Sequence, residues 1–277
     1  MIFVYFVKYM FFIYYVEYIY RVYHVQYVFC VHAVFHLVYY HHKVIIEATM
    51  NQTNLTSTAG QFSDTQVKYL TKLLPLIQRR GFSQVRIEDI VHAMDISKAT
   101  FYKSFTSKED VIAHIVEMVI AYFQQTITVI DESTLSYEER FQRIFEQSVF
   151  IATYLTDVFL RDLQQTFPSL LERIKQAQRE RQHHREAFFK AGIAAGIFQP
   201  IPHILVILQD EVLLHSLLDP IFLMEHDLTL RSALEAYYEI QKYQWCVAAV
   251  RERLDDTVVK AYIATMANKI ALNLRMV

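Results

Sequence analysis

The chain has 277 residues, 53% of them hydrophobic, and a formal net charge of −2. That is enough apolar material for a substantial core in one or two domains, and too little net charge for a nucleic-acid coat protein. Two cysteines, Cys30 and Cys246, exclude a disulfide scaffold or a cysteine-rich metal site; four glycines and five prolines suit an all-helical chain.

Residues 1–48 do not resemble the rest. Apolar residues stand at every third position, from Val4, Val7, Met10 and Ile13 through Val31, Val34 and Leu37. A helix repeats near 3.6 residues and a strand at 2.0, and the known three-residue repeats need Gly or Pro, which this segment lacks. Three residues are nine nucleotides, so the segment reads as translation through a tandem DNA repeat, with Met50 as the natural initiator. The competing reading is a membrane-associated segment, since no Asp, Glu, Lys or Arg occurs from Val22 to His42. Against it stand His24, Gln26, His32 and His36 and a Tyr/Phe density far above that of interfacial belts. A cleaved signal peptide lacks its basic start and small-residue cleavage site. Residues 50–64 are a polar arm.

From Thr65 the chain reads as consecutive helices. Val67, Leu70, Leu73, Leu74 and Ile77 give the first an apolar face; Arg79-Arg80 lie in its last turn and Gly81 stops it. Pro75, inside that pattern, should bend or shorten it. Ile87, Ile90, Val91 and Met94 then form one face of a helix of about two turns. After Asp95-Ile96, Ser97 is placed to cap a further helix in which Phe101 and Phe105 share a face. Lys98, Ala99, Thr100, Tyr102 and Lys103 fall largely on the other. Helix, short turn and a helix with a cationic outer face is the helix-turn-helix arrangement, whose second helix enters the DNA major groove. Residues 65–110 carry eight Lys/Arg against five acids, the local excess expected of a DNA-facing module.

Gly81-Phe82, the apolar spacing, Ser97, the Tyr102–Phe105 pair and Ser107-Lys108-Glu109 together resemble the DNA-binding domain of TetR-family transcriptional regulators. The sequence departs from that pattern at Asp95, where Gly is usual, at Ala99, where Gly or Pro is common, and at Arg86, where Thr often begins the first motif helix. Asp tolerates turn conformations and Ala suits a helix, so the fold survives these changes. Ser107 should cap a long helix through about Val129, with Asp110 completing a variant capping box. In the resemblance, this helix joins the DNA-binding head to the body.

The body, residues 111–277, should be all-α. Its helical patterns cover Tyr137–Asp157, Val158–Phe167, Ser169–Ala195 (ended by Gly196), Ile201–Glu225 (interrupted by Pro220), Leu228–Val250 and Asp255–Leu274. The stretch from Phe167 to Phe198, ending Gly192-x-x-x-Gly196-x-Phe198, also resembles TetR-family bodies. Leu205 to Leu218 is apolar nearly all round, which calls for burial, here against a partner subunit.

The fold class is therefore all-α: an N-terminal three-helix helix-turn-helix domain at 65–110 and a larger α-helical effector-binding and dimerisation domain. Candidate DNA-binding residues are Arg86, Ser97, Lys98, Ala99, Thr100, Tyr102, Lys103 and Lys108. Tyr102, Lys103 and Lys108 suit phosphate contact, and Lys98, Ala99 and Thr100 suit base edges. Candidate effector-binding residues are Tyr154, Glu211 and His215; the last two are four apart on one helical face and equally able to pair with each other. His183-His184 point about 100° apart on a helix and do not make one metal site, so no metal or other cofactor is expected. No nucleophile elbow, phosphate loop or diagnostic carboxylate pair marks an enzyme. The resemblance implies a cytoplasmic homodimer, with no membrane contact unless residues 1–48 are made, that represses at a palindromic double-stranded DNA operator and is released by a small-molecule effector. The alternatives are a membrane-anchored regulator or sensor and an all-helical ligand-binding module that has lost DNA binding.

Overall fold

Twelve α-helices and one isolated β-bridge organise the described residues, 63–275, of this computed structural model. The period-three segment and all but the end of the polar arm lie outside the described residues. The helices are α1 (Asp64–Arg80), α2 (Ile87–Met94), α3 (Lys98–Ser104), α4 (Lys108–Asp131), α5 (Tyr137–Tyr154), α6 (Asp157–Thr166), α7 (Pro168–Ala194), α8 (His203–Leu217), α9 (Pro220–Glu225), α10 (Leu230–Trp245), α11 (Ala248–Arg253) and α12 (Thr257–Arg275).

Two apolar cores hold them. The first gathers Leu70, Leu73 and Ile77 of α1, Ile90 and Met94 of α2, Phe101 of α3, and Val111, Ile112 and Ile115 of α4. It continues without a break into Phe159 and Leu163 of α6 and Leu171 and Ile174 of α7. At about 1.5–3 kcal/mol for each large side chain removed from water, this shared packing holds the three-helix head to the helices behind it. The second core is aromatic: Phe189 stacks on Trp245 with ring centroids 3.6 Å apart, and Phe141, Phe145, Phe188, Tyr237 and Tyr238 surround them.

The Gly192…Gly196…Phe198 phrase has a direct physical reading. Gly196 takes φ +72° and ends α7, with Ile197 N–H donating to the Gly192 carbonyl at 2.9 Å. That reversal lays Phe198 back on the helix, and a Cβ on Gly192 would stand 2.2 Å from the Phe198 ring. Phe198 then pairs with Cys246 in the β-bridge, where Gln199 N–H donates to the Trp245 carbonyl at 2.7 Å.

This bridge explains one departure from the sequence expectation. The apolar pattern over Leu228–Val250 is two helices, because the chain is drawn extended at Cys246–Val247 to meet Ile197–Gln199. Pro75 does not shorten α1, which runs on to Arg80. The expected Ser107–Asp110 capping box forms one residue off. Ser107 Oγ accepts the Asp110 N–H at 3.2 Å, but the Asp110 carboxylate reaches back to the Thr106 N–H, at 2.8 Å.

Among the described residues one helix, α4, is long and apolar enough by length and composition to cross a membrane. Its apolar surface is used internally: α4 on α7 is the most extensive helix pair, and Arg173 of α7 grips Glu117 of α4 with two N–H groups, one at 2.8 Å.

Candidate functional site

The head presents α3 outward on a rigid mount. Phe101 and Phe105 are fully buried, so the helix is pinned by one face, while Lys98, Ala99, Tyr102 and Lys103 are exposed. Tyr102 is 56% exposed although its ring is large and apolar. Ser97 caps α3 by accepting the Thr100 N–H at 3.1 Å, and its hydroxyl also bonds that of Thr100 at 2.9 Å. It therefore orients the recognition helix and shares its hydroxyl with a neighbour. Lys98 Nζ lies 2.6 Å from Glu88 of α2; this hydrogen bond lowers the carboxyl and raises the ammonium from their ordinary values. Lys108 donates to the Ser83 carbonyl at 3.2 Å. Its ammonium has three donors, which leaves two for another partner. Arg86, exposed, precedes α2, and its N–H donates to Asp89 at 2.9 Å.

The turn between α2 and α3 shows why Asp serves where Gly is usual. Asp95 adopts φ 58°, ψ 52°, the left-handed conformation that closes a helix, and Ile96 N–H donates to the Val91 carbonyl at 3.0 Å. Asp enters this region more readily than most residues, and here its carboxylate also meets Lys72 at 3.2 Å.

Behind the head, the α1–α2 connection is clamped to α6. Asp162 accepts from two successive backbone N–H groups, Phe82 at 2.6 Å and Ser83 at 2.8 Å. Gly81 permits this approach: it has φ +68°, and a Cβ there would stand 2.2 Å from the Asp162 carboxylate. Gln78 of α1 adds a bond to the Thr153 carbonyl at 3.0 Å, and Thr156 one to the Gln78 carbonyl at 3.1 Å.

The body contains a polar centre that sequence reasoning missed. Arg181 and Arg185 of α7 are 5% and 3% exposed. Arg185 pairs with buried Asp210 at 2.6 Å, and the other oxygen of that carboxylate accepts from Tyr237 at 3.3 Å. Tyr237 in turn accepts from Gln241 at 2.6 Å, and Gln241 accepts the Trp245 indole N–H at 2.8 Å. Among the described residues Arg181 is held by hydroxyls, Thr126 of α4 at 3.1 Å and Ser148 of α5 at 3.1 Å. Burial, together with the like charge of Arg185, pushes its guanidinium down to about 9, so it stays charged at neutral pH.

Around Arg181 lies an aromatic wall. Tyr122 of α4 packs on Phe150 of α5 with centroids 4.4 Å apart, and Phe150 packs on Tyr154 at 4.4 Å. Glu146 is half-buried beside them, and desolvation raises its carboxyl to about 7.

The three sequence-chosen effector residues lie on two helices, Tyr154 on α5 and Glu211 and His215 on α8. Tyr154 belongs to the wall, and Lys269 donates to its hydroxyl at 3.4 Å. Glu211 is half-buried, and its field is felt at Arg181 without an ion pair. His215 sits 3.9 Å from Asp157 of α6, so the possible Glu211–His215 pair gives way to a contact between helices. His184 turns to Asp131 at 2.7 Å, away from His183.

Fold and head together define an all-α protein with an N-terminal helix-turn-helix that presents a cationic recognition helix. Residues 73–115 match the family model described as bacterial regulatory proteins, tetR family. The helix-turn-helix head, residues 73–115, is thus similar to the DNA-binding domain of tetR-family bacterial regulators. No curated protein matches it.

Solved structures match parts of the chain at low identity. The ketosteroid transcriptional regulator KstR2 of Mycobacterium tuberculosis is 17% identical, with a TM-score of 0.47 over 68% of this chain and 98% of that one. A TetR transcription regulator from Haloarcula marismortui is 17% identical, TM-score 0.43, over 66% of this chain and 100% of that one. A gamma-butyrolactone receptor (ArpA-like protein) is 15% identical, TM-score 0.43, over 74% of this chain and 97% of that one.

Proposed function

We propose that the protein is a cytoplasmic repressor that binds a palindromic double-stranded DNA operator as a homodimer and is released by a small-molecule effector. The observation that carries this is the outer face of α3, where Tyr102 stands exposed between Lys98 and Lys103 with its hydrophobic ring turned to solvent. Tyr102 and Lys103 take phosphates, joined at the edges by Lys108 and Arg86; Lys98, Ala99 and Thr100 face base edges. The Lys98–Glu88 pair is exposed and is exchanged for a DNA contact at little cost. Ser97 contributes by fixing the helix.

Dimerisation is supported by the apolar stripe that α8 leaves uncovered. Leu205, Leu208 and Val212, at i, i+3 and i+7, are 62%, 54% and 61% exposed. On α10, Ile240 and Tyr243 are 49% and 63% exposed, and Gln209 of α8 bonds Gln244 of α10 at 3.4 Å. A two-fold pairing of these faces would set two heads against two half-sites.

Fluorescence anisotropy of the full chain on DNA from its own upstream region, at two salt concentrations, tests the reading. Tight binding that weakens with salt and survives excess unrelated DNA is the expected result. Lys103→Ala should weaken binding across sequences and flatten the log–log salt dependence by about one per subunit. A variant indistinguishable from the parent would refute the assignment of α3 to DNA.

A further inference from the structure

The effector reading leaves open what kind of molecule the body accepts, and the buried guanidiniums bear on it. Arg181 is a cation at 5% exposure whose hydrogen-bond partners among the described residues are two neutral hydroxyls. Among the described residues no carboxylate lies within ion-pair distance of it. Asp210, the one fully buried carboxylate nearby, is already committed to Arg185 at 2.6 Å and to Tyr237 at 3.3 Å. Glu211 contributes its field from the next position along α8 and nothing closer. Arg185 Nε is buried and has no hydrogen-bond partner among the described residues.

Burying an ion away from water is unfavourable unless a counter-charge and hydrogen bonds replace its hydration. Here the hydrogen-bonding capacity of two adjacent guanidiniums exceeds what the protein supplies. Thr126 is set as an acceptor, because its own hydrogen is donated to the Phe123 carbonyl at 2.7 Å. The apolar surface next to this centre is the Tyr122–Phe150–Tyr154 stack, whose members keep some solvent access within dense surroundings.

We propose that Arg181 anchors a small molecule bearing a single carboxylate, with Arg185 Nε as a second donor and the apolar remainder of the ligand lying against Tyr122, Phe150 and Tyr154. Planar carboxylate and forked guanidinium match in two parallel N–H···O bonds, and a low-dielectric setting strengthens them. The proposal rests on the effector reading and assigns it a ligand class.

The test is calorimetric titration and thermal shift of the full chain with 4-phenylbutyrate and octanoate, each against its primary amide. The carboxylates should bind at least tenfold more tightly than the amides. Arg181→Met, which removes an uncompensated buried cation at similar volume, should melt at the parent temperature or above and lose the preference for carboxylate. Arg181→Lys, which keeps the charge without the fork, should retain the preference at reduced affinity. Equal binding of acids and amides, failure of both acids to bind the parent chain, or a preference that persists in Arg181→Met overturns the proposal.

The same titrations on the DNA complex separate the two readings. Carboxylates that bind through Arg181 without loosening DNA would leave the site standing and remove its effector role. Neutral ligands that release DNA while carboxylates fail to bind would do the reverse.

Discussion

Asp162 is the residue at which head and body can be uncoupled with least disturbance elsewhere. Its carboxylate accepts the Phe82 N–H at 2.6 Å and the Ser83 N–H at 2.8 Å, across the α1–α2 connection. Replacing it by Ala removes the one oxygen, Oδ2, that accepts both. The Ser83 donor is exposed and returns to water, whereas the Phe82 donor is enclosed with a side chain only 1% exposed. One unsatisfied enclosed donor costs about 1–3 kcal/mol. For a domain of this size that is a fall in Tm of roughly 2–4 °C per kcal/mol, or about 2–12 °C in all. Asp162→Asn keeps one oxygen acceptor and loses the charge assistance, so its loss should be about half as large. Differential scanning calorimetry orders the three proteins as parent, Asn, Ala. If Ala melts within about 1 °C of the parent, the two hydrogen bonds are not what holds the head to α6 and the reasoning fails; if Asn falls as far as Ala, charge rather than acceptor geometry is responsible.

Glu146 gives a pH dependence. Desolvation raises its carboxyl from the ordinary 4.5 to about 7, so the folded state holds a proton that the unfolded chain releases. Stability from this group is therefore present below about pH 4.5 and lost as pH rises through about 7. Glu146→Gln should remove that slope and stabilise the protein at pH 8 by about 1–3 kcal/mol after screening at a half-buried site; urea midpoints at pH 5 and pH 8 check it, and an unchanged slope refutes it. Gly192→Ala drives a methyl into the Phe198 ring and should cost about 1–3 kcal/mol, visible as a lower urea midpoint with the slope unchanged. Asp95→Gly exchanges relief of a left-handed backbone against the Lys72 contact at 3.2 Å. That pair is exposed and worth little, so the variant should match or exceed the parent by up to about 1 kcal/mol in thermal unfolding. A clear loss would show the ion pair to matter.

What the sequence revealed and what it hid divide along a physical line. Local rules placed the head: Ser97 and Ser107 cap because a hydroxyl before an apolar run satisfies free N–H groups, and Gly81 and Gly196 stop helices because they reach positive φ. The joins set by distant partners were hidden, as at Cys246, where a bridge to Phe198 breaks a helix that its own periodicity would continue. The polar centre was hidden for another reason. Arg181 and Arg185 lie in a run of charged and polar residues that reads as a solvated face. Yet they continue the buried stripe Ile174, Ala177, Arg181, Arg185, Phe188 at helical spacing. The period was legible, but residue type outweighed it, because buried cations are rare.

The buried cation and the DNA-facing end meet on one element. Thr126, which accepts from Arg181, lies in α4, and Ser107 caps the start of the same helix about 28 Å away at 1.5 Å rise per residue. The helix is continuous over that length and braced against α7 by Arg173–Glu117, so on the effector reading a shift at Thr126 would be carried toward Ser107. A ligand that takes Arg181 away from Thr126 and Ser148 acts on the contacts between α4, α5 and α7, while Asp162 holds the far side of the head to α6. Such a ligand changes head position only through the difference in its affinity for the two arrangements. On the proposed carboxylate site, that difference would come from Arg181, which would meet a bound anion better in an arrangement that frees it from the Thr126 and Ser148 hydroxyls.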